Sequence, residues 1–210
     1  MTNPNPVPCP IPYRQEVYRK LIHLSSLWTV AAILLVDRWI MFGIFAALLL
    51  GNLLFEAGYA RRWPFFYPVY HFFFGRMLRR TPAPGAIIVS GGPYVLAAAV
   101  LVTGLFRPPA AAGAMAVMLL ADTAAALVGR RFGRIKIWNG KSLEGTVSFV
   151  LAGGLVILLG YLAGYWTLPT LFGGLAGVVA AAAAELFEKQ LHIDDNFSIP
   201  LLVGLALSLC

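Results

Sequence analysis

One carboxylate, Asp122, lies inside a long apolar and alanine-rich stretch that covers residues 115–128. An ionisable residue costs about 2.5–3.5 kcal/mol at the centre of a bilayer, so such a residue usually faces a partner, an ion or a polar cavity. Five cations, several glycines and the pair Lys141-Ser142 follow within the next loop. Cations and free backbone N–H groups bind phosphate oxygens. The residue types therefore predict a phosphate-binding site next to Asp122.

The loop after Asp122 has the features of an anion site at a helix start. The next apolar run begins near Thr146, and the unpaired N–H groups and positive dipole end of a helix N-terminus favour an anion. Lys141 adds a charge and Ser142 a hydroxyl group, while Gly129 and Gly133 would permit unusual backbone angles or close ligand approach. The P-loop pattern is not met, because it needs a preceding strand and a glycine where the chain has isoleucine.

Acidic residues recur on the side of the chain that carries this loop. They are Glu144, Glu185, Glu188, Asp194 and Asp195, with Asn196 beside the last. Oxygen ligands of this kind suit Mg²⁺, which takes one or two carboxylates together with substrate phosphates. A solvated acidic turn is an equally good explanation for Asp194 and Asp195, so the residue types alone leave both open.

The segment before the first apolar run places three polar residues on one helical face. Glu16, Lys20 and His23 are spaced i, i+4 and i+7. Arg19 and Lys20 could simply anchor the helix at the membrane surface, and His23 could be a packed core histidine. The alternative is that this face lies against the phosphate site.

The composition is that of a membrane protein. The chain has 210 residues, of which 60% are hydrophobic and 12% charged, with a mean hydropathy of +0.78, whereas soluble domains carry about 25% charged residues. No segment alternates as a barrel strand would, so we predict an all-α polytopic fold. Seven spans are predicted, at 20–36, 39–58, 86–105, 108–128, 147–165, 168–186 and 197–210. Residues 1–210 would form one membrane-embedded domain, with 1–13 as a flexible cytosolic tail.

The distribution of cations predicts the orientation. With the loop of residues 129–146 in the cytosol, only Arg38 and Arg107 of the sixteen cations lie outside. The N-terminus is then cytosolic. The net charge of +7 is therefore a topological signal and not a nucleic-acid footprint, and anionic lipid or nucleotide phosphates are the expected acidic partners.

Four elements of this chain resemble, in order, the CTP-dependent lipid-alcohol kinase family of dolichol, phytol and farnesol kinases and CTP-dependent diacylglycerol kinase. They are Arg19-Lys20-x-x-His23, Asp122 with Gly129-Arg130-x-x-Gly133, Lys141-Ser142-x-Glu144-Gly145-Thr146, and Glu185 with Asp195-Asn196-x-x-x-Pro200. The resemblance covers nearly the whole chain. In size the chain is closest to the phytol kinases and the short prokaryotic members, so we expect a prokaryotic plasma-membrane protein with its site facing the cytosol.

The resemblance implies transfer of the γ-phosphoryl group of CTP, with Mg²⁺, to a lipid alcohol such as a polyprenol, a phytol-type isoprenol or diacylglycerol. The expected catalytic residues are Asp122, Lys141 and His23. The expected nucleotide-binding residues are Arg19, Lys20, Gly129, Arg130, Gly133, Ser142, Gly145 and Thr146. The expected metal ligands are Asp122, Glu144, Glu185, Asp195 and Asn196. Asp122 is thus a candidate for both metal binding and proton removal from the alcohol, and His23 is the second candidate base.

Two other functions remain open from the sequence. A cytidylyltransferase that attaches CMP to a lipid phosphate would use similar parts, but the signature of phosphatidate cytidylyltransferases is absent. A small ion-coupled transporter could use Asp122 as its ion site. It predicts internal repeats and polar residues spread over several spans, whereas the polar residues of this chain gather near one surface.

Overall fold

The computed structural model describes residues 13–74 and 91–210 of the chain. Within these ranges the chain is helical, and its only strand-like pairing is one isolated antiparallel bridge between Lys136 and Ser142. The helices are α1 (Tyr13–Ser25), α2 (Trp28–Leu35), α3 (Arg38–Ala60), α4 (Phe66–Phe74), α5 (Gly91–Leu105), α6 (Pro108–Phe132), α7 (Leu143–Leu162), α8 (Leu168–Leu186), α9 (Glu188–Leu191) and α10 (Asp195–Leu209). The all-α prediction is confirmed for this part of the chain.

Four of the described helices, α3, α6, α7 and α8, are long and apolar enough to cross a membrane. The helix α10 is apolar but has 15 residues, which is about 22 Å of helix against a hydrocarbon core of about 30 Å, and the apolar helix α5 is described only from Gly91 onwards. The number of seven spans and the cytosolic N-terminus therefore stay predictions. The tail of residues 1–12 and the first residues of the predicted span 86–105 lie outside the described ranges.

The first predicted span is interrupted. The span predicted at 20–36 is not one continuous helix, because α1 ends at Ser25 and α2 begins at Trp28. The Ser25 hydroxyl donates to the Ile22 carbonyl at 2.6 Å, and Ser26 N–H donates to the His23 carbonyl at 3.1 Å. Serine side chains that bond the local backbone compete with the helical ladder. Both short helices pack on α6. The break separates the segment that packs there as α1 from the segment that packs there as α2.

The centre of the bundle is α6. It packs against α1, α2, α5, α7 and α10, and its residues 110–119 are buried. Most of these are alanine or other small side chains, which allow neighbouring backbones to come close. In α6 the acid Asp122 therefore sits in the middle of the protein and not on a lipid-facing surface.

The crossing of α6 and α7 explains two glycines of the predicted phosphate loop. The helix α6 does not end at residue 128 as predicted but continues to Phe132. A Cβ on Gly129 would lie 3.4 Å from the Gly145 Cα, and one on Gly145 would lie 3.0 Å from the Ala125 carbonyl oxygen. Gly129 and Gly145 thus allow α6 and α7 to come close together beside Ala125.

Candidate functional site

Five elements bring their polar side chains together at one end of the bundle. They are α1, the C-terminal half of α6, the segment 133–142, the end of α8 with α9, and the start of α10. The central contact is an ion pair in which Lys20 Nζ donates to Asp122 Oδ2 at 2.5 Å. The two side chains are 6% and 7% exposed. His23 Nε2 lies 3.5 Å from the same oxygen, which confirms that this face of α1 turns towards Asp122.

A second buried carboxylate, Glu16, holds two of the expected phosphate-binding cations. Its Oε1 accepts from Arg19 Nη2 at 2.6 Å, and its Oε2 lies 3.1 Å from Arg130 Nη2. The Glu16 side chain is 1% exposed, whereas those of Arg19 and Arg130 are 47% and 36% exposed. The carboxylate therefore holds one terminal nitrogen of each guanidinium group, while both arginine side chains stay partly exposed. Glu16 was not among the predicted site residues, although its spacing from Lys20 placed it on the same face.

The loop between α6 and α7 forms a short hairpin. Leu143 N–H donates to the Ile135 carbonyl at 2.9 Å, and Lys141 N–H closes a turn on the Trp138 carbonyl at 2.9 Å. At the tip, Asn139 has φ 52° and Gly140 has φ 81°, as a type I′ turn requires. The dipeptide Asn-Gly is the strongest short-range hairpin signal, so the sequence did contain evidence for this turn. We use "hairpin" below for residues 133–142.

The hairpin is attached to the end of α8, and this contact positions Lys141. Asn139 Nδ2 donates to the Leu186 carbonyl at 2.8 Å, and the rings of Trp138 and Phe187 lie 5.8 Å apart. Lys141 Nζ then donates to Glu185 Oε1 at 2.7 Å. Burial lowers the pKa of Lys141, but Glu185 and the nearby acids outweigh it and hold that pKa above its ordinary value. Lys141 is therefore a fixed, protonated cation.

Three carboxylates beyond Glu185 form a compact acidic group. One oxygen from each of Glu188, Asp194 and Asp195 lies within 4.8 Å of the others. Burial, together with Asp122, Glu188 and Asp194, raises the pKa of Asp195 to about 7. Acids held this close favour a bound cation, since a cation relieves their mutual repulsion. Asp195 was a predicted ligand, whereas Asp194 was noted as part of an acidic turn and Glu188 as an acid near the end of the sixth predicted span.

Several predicted site residues have structural roles in this arrangement. Ser142 caps α7, where its Oγ accepts from Gly145 N–H at 3.2 Å, and Thr146 Oγ1 donates to the Ser142 carbonyl at 3.3 Å. At Gly133 a Cβ would lie 2.7 Å from the Ser142 Cβ. These residues, like Gly129 and Gly145, hold the loop against α6, and their part in nucleotide binding stays a prediction.

Two predicted metal ligands have other contacts. Glu144 Oε1 accepts from the backbone N–H groups of Arg134 and Ile135 at 2.9 and 3.2 Å, so it stabilises the hairpin. Asn196 Nδ2 donates to Asp194 Oδ1 at 2.8 Å. Asn196 therefore orients Asp194, an acid of the acidic group. Glu144 instead binds the backbone at the start of the hairpin.

The separate contacts belong to one electrostatic unit. Asp122 lies within electrostatic range of both Lys141 and Asp195, and Arg19 within range of Asp122 and Asp195. This electrostatic coupling is what the predicted meeting of Asp122 with Lys141 and Asp195 requires, and their joint role in one site stays a prediction. The residues come from parts of the chain separated by more than a hundred positions, as Lys20 and Asp122 are 102 apart.

Comparisons with known proteins give relatives that match between half and about three fifths of the chain. The chain is 38% identical over 116 residues to the phytol kinase of Synechocystis sp., covering 51% of this chain and 48% of that protein. It is 30% identical over 126 residues to a probable phytol kinase 2, chloroplastic, of rice, covering 54% of this chain and 41% of that protein. An uncharacterized protein of Rickettsia prowazekii is 30% identical over 130 residues, which is 61% of this chain and 62% of that protein.

The chain spans about half the length of the two phytol kinases that it matches. No protein-family model matches the chain. No solved structure matches it either. Two of the three relatives are named as phytol kinases, and both are at least 30% identical over more than a hundred residues. These similarities confirm the resemblance to the lipid-alcohol kinase family, and the chain is a relative of the phytol kinases.

Proposed function

We propose that this chain is a membrane kinase that transfers the γ-phosphoryl group of CTP to the hydroxyl of a lipid alcohol at the cytosolic face. The observation that carries the proposal is the buried Asp122, paired with Lys20 and His23, at the same end of the bundle as Lys141 and Asp195. Phosphoryl transfer depends on positioned cations and carboxylates more than on covalent chemistry. An apolar helical bundle with such a site at one end suits a polar donor and a lipid acceptor.

Four cations are available for the triphosphate. Arg19 and Arg130 are bound by Glu16 through one terminal nitrogen each and stay partly exposed, while Lys20 and Lys141 approach from α1 and the hairpin. Arginine presents a planar pair of donors that fits phosphate oxygens, and lysine acts as a point charge. The choice of CTP as donor rests on the family resemblance, as no contact to a base is assigned to any residue.

The residues at the start of α10 fit a magnesium ion. Glu188, Asp194 and Asp195 offer hard oxygen donors within one small volume, and Mg²⁺ prefers carboxylates in combination with phosphate oxygens. These three would hold the ion, with Asp122 and Glu185 close enough in charge to contribute. Bound there, Mg²⁺ would neutralise charge on the β- and γ-phosphates.

The acceptor hydroxyl needs a group that takes its proton. In the proposed reaction the alcohol oxygen bonds to the γ-phosphorus, the bond from that phosphorus to the β-phosphate oxygen breaks, and CDP leaves. The proton of the hydroxyl goes to a base, for which Asp122 is the first candidate and His23, 3.5 Å from Asp122 Oδ2, the second. Lys20 bonds to one oxygen of Asp122, and this contact orients the carboxylate.

Transfer of labelled phosphate tests the proposal. The purified chain in detergent or vesicles would be offered CTP labelled at the γ- or the α-phosphate, together with phytol, a polyprenol or diacylglycerol. We expect γ-label to enter the lipid and ATP to be the poorer donor. Entry of α-label would favour the cytidylyltransferase, and absence of any label in every lipid, with a folded protein, would overturn the kinase assignment and favour a transporter.

A further inference from the structure

The hairpin exposes large apolar side chains at its surface. Ile135 is 56% exposed, Ile137 40% and Trp138 50%, and Phe132 just before the hairpin is 60% exposed. Ile135 and Ile137 lie on either side of Lys136, the residue that forms the isolated bridge to Ser142. A contiguous apolar surface of this kind marks an interaction site. The segment is therefore unlike an ordinary aqueous loop.

This apolar surface continues the lipid-facing side of α7. Leu143, the first residue of α7, is 42% exposed and pairs with Ile135 through its backbone N–H at 2.9 Å. Further along the helix, Val147, Leu151 and Leu155 are 48%, 68% and 55% exposed. The helix α7 is long and apolar enough to span a membrane. Because these residues are four positions apart, their side chains are neighbours on the same side of the helix. We call Leu143, Val147, Leu151 and Leu155 the apolar stripe, and the backbone bond from Leu143 to Ile135 joins its first residue to the hairpin.

Three exposed cations lie on or beside the same hairpin. They are Arg131, Arg134 and Lys136, and the Arg131 guanidinium lies 5.4 Å from the centroid of the Phe132 ring. Aromatic rings and basic side chains together are typical of the boundary between membrane and water. Each cation close to an anionic membrane surface strengthens binding about fivefold.

We propose that the hairpin lies in the membrane interface, with Ile135 and Ile137 in the acyl boundary and Arg134 and Lys136 bound to anionic lipid headgroups. A free phosphate or a nucleotide would account for the cations but not for the apolar side chains beside them. The bilayer accounts for both. Because Lys141 belongs to the same hairpin, headgroup binding places it at the depth where a lipid hydroxyl is presented. This last consequence rests on the proposed kinase function, whereas binding of the hairpin to lipid does not.

A spin label measures the depth of the hairpin. The full chain with Cys9→Ser, Cys210→Ser and Ile137→Cys would carry a nitroxide and be placed in vesicles of phosphatidylcholine mixed with phosphatidylglycerol. Matched labels at Leu151→Cys and Lys189→Cys give the lipid and water references, since Leu151 lies on the apolar stripe and Lys189 is exposed. We expect the label at Ile137 to collide with oxygen as Leu151 does and to be shielded from a water-soluble nickel complex.

Two results at Ile137 would overturn the proposal. Nickel accessibility equal to that at Lys189 would place the hairpin in water. Shielding from both oxygen and nickel would mean that protein, such as a second copy of the chain, covers the surface instead of lipid. Neither readout depends on phosphoryl transfer, so the lipid contact can fail while the kinase function holds, or hold while the kinase function fails.

The charges are tested by a matched pair of lysine variants. In the protein labelled at Ile137, we expect added phosphatidylglycerol to increase oxygen collision, and Lys136→Gln to raise about fivefold the amount of phosphatidylglycerol needed for the same increase. Lys189→Gln removes the same charge from an exposed site outside the hairpin and should leave the response intact. An equal effect of both variants, or no response of the unmodified chain to phosphatidylglycerol, would contradict headgroup binding by the hairpin.

Discussion

Lys20 and Asp122 form an ion pair of 2.5 Å between α1 and α6, and both side chains are buried. The pair serves the fold and the site together, because it holds α1 on the central helix while it orients the acid proposed to act on the alcohol. Removing one partner would leave the other charge buried and unpaired, which strongly destabilises a protein. The two functions of the pair can nevertheless be separated by choosing the substitutions.

Asp122→Asn is expected to destabilise the protein by about 3–5 kcal/mol, since it leaves the Lys20 charge buried without its partner. Thermal and denaturant unfolding in detergent micelles would measure the loss. Lys20→Met/Asp122→Leu is the control, because an apolar pair of similar volume is often as stable as a buried ion pair. A double variant as unstable as Asp122→Asn would show that the pair has a structural role that apolar packing cannot replace.

Glu16→Gln is expected to raise the KM for CTP roughly tenfold with little change in kcat. The substitution removes a charge-assisted bond to each of Arg19 and Arg130, and bonds of this kind contribute about 1.5–3 kcal/mol. The lower end of that range applies, since the two arginine side chains are 47% and 36% exposed. Steady-state kinetics with CTP and phytol would measure the KM and kcat of the variant and of the unmodified chain.

Glu16→Asp keeps the charge and is expected to restore part of the affinity for CTP. A loss of kcat at unchanged KM would contradict the role of Glu16 in positioning the cations. An equal loss of protein in the membrane for both variants would instead assign Glu16 to folding alone.

Asn139→Gly and Asn139→Ala separate two roles of the hairpin tip. Both lose the bond from Asn139 to the Leu186 carbonyl, but glycine accepts the φ of 52° at this position whereas alanine does not. We expect alanine to be less stable than glycine by about 1–2 kcal/mol. Both variants should raise the KM for CTP, since Lys141 follows the turn directly. Unfolding curves and kinetics that match those of the unmodified chain would contradict this role of the turn.

Asp195→Asn is expected to raise the Mg²⁺ concentration needed for half-maximal activity by at least tenfold. Glu144→Gln should leave that concentration unchanged and lower stability instead, because Glu144 bonds the backbone of Arg134 and Ile135. Titration of transfer activity with Mg²⁺ would measure both variants. The reverse outcome, a Mg²⁺ effect at Glu144 and none at Asp195, would move the metal site to the hairpin.

Much of the site could be predicted from the residue types. An acid in an apolar helix, a helical face with Lys20 and His23, and an acidic turn before the last helix each indicated a partner, and the structure brings them to one end of the bundle. The all-α class followed from composition, because lipid-exposed backbone must be paired within helices or closed barrels.

Other features could not be predicted because they depend on packing. The roles of Gly129 and Gly145 at a helix crossing, and the bond of Glu144 to the hairpin backbone, require knowledge of which helices meet. The break after Ser25 is a competition between side chain and backbone that small local differences decide. The turn at Asn139-Gly140 is different, since its sequence signal was present.

The most direct test is γ-phosphate transfer from CTP to phytol by Lys20→Met/Asp122→Leu, once unfolding has shown that its stability equals that of the unmodified chain. The proposed role of Asp122 and Lys20 predicts labelled lipid phosphate with the unmodified chain and a loss of about a hundredfold or more with the double variant, because the general base and a phosphate-binding cation are both gone. Transfer by the stable double variant at the unmodified rate would contradict it.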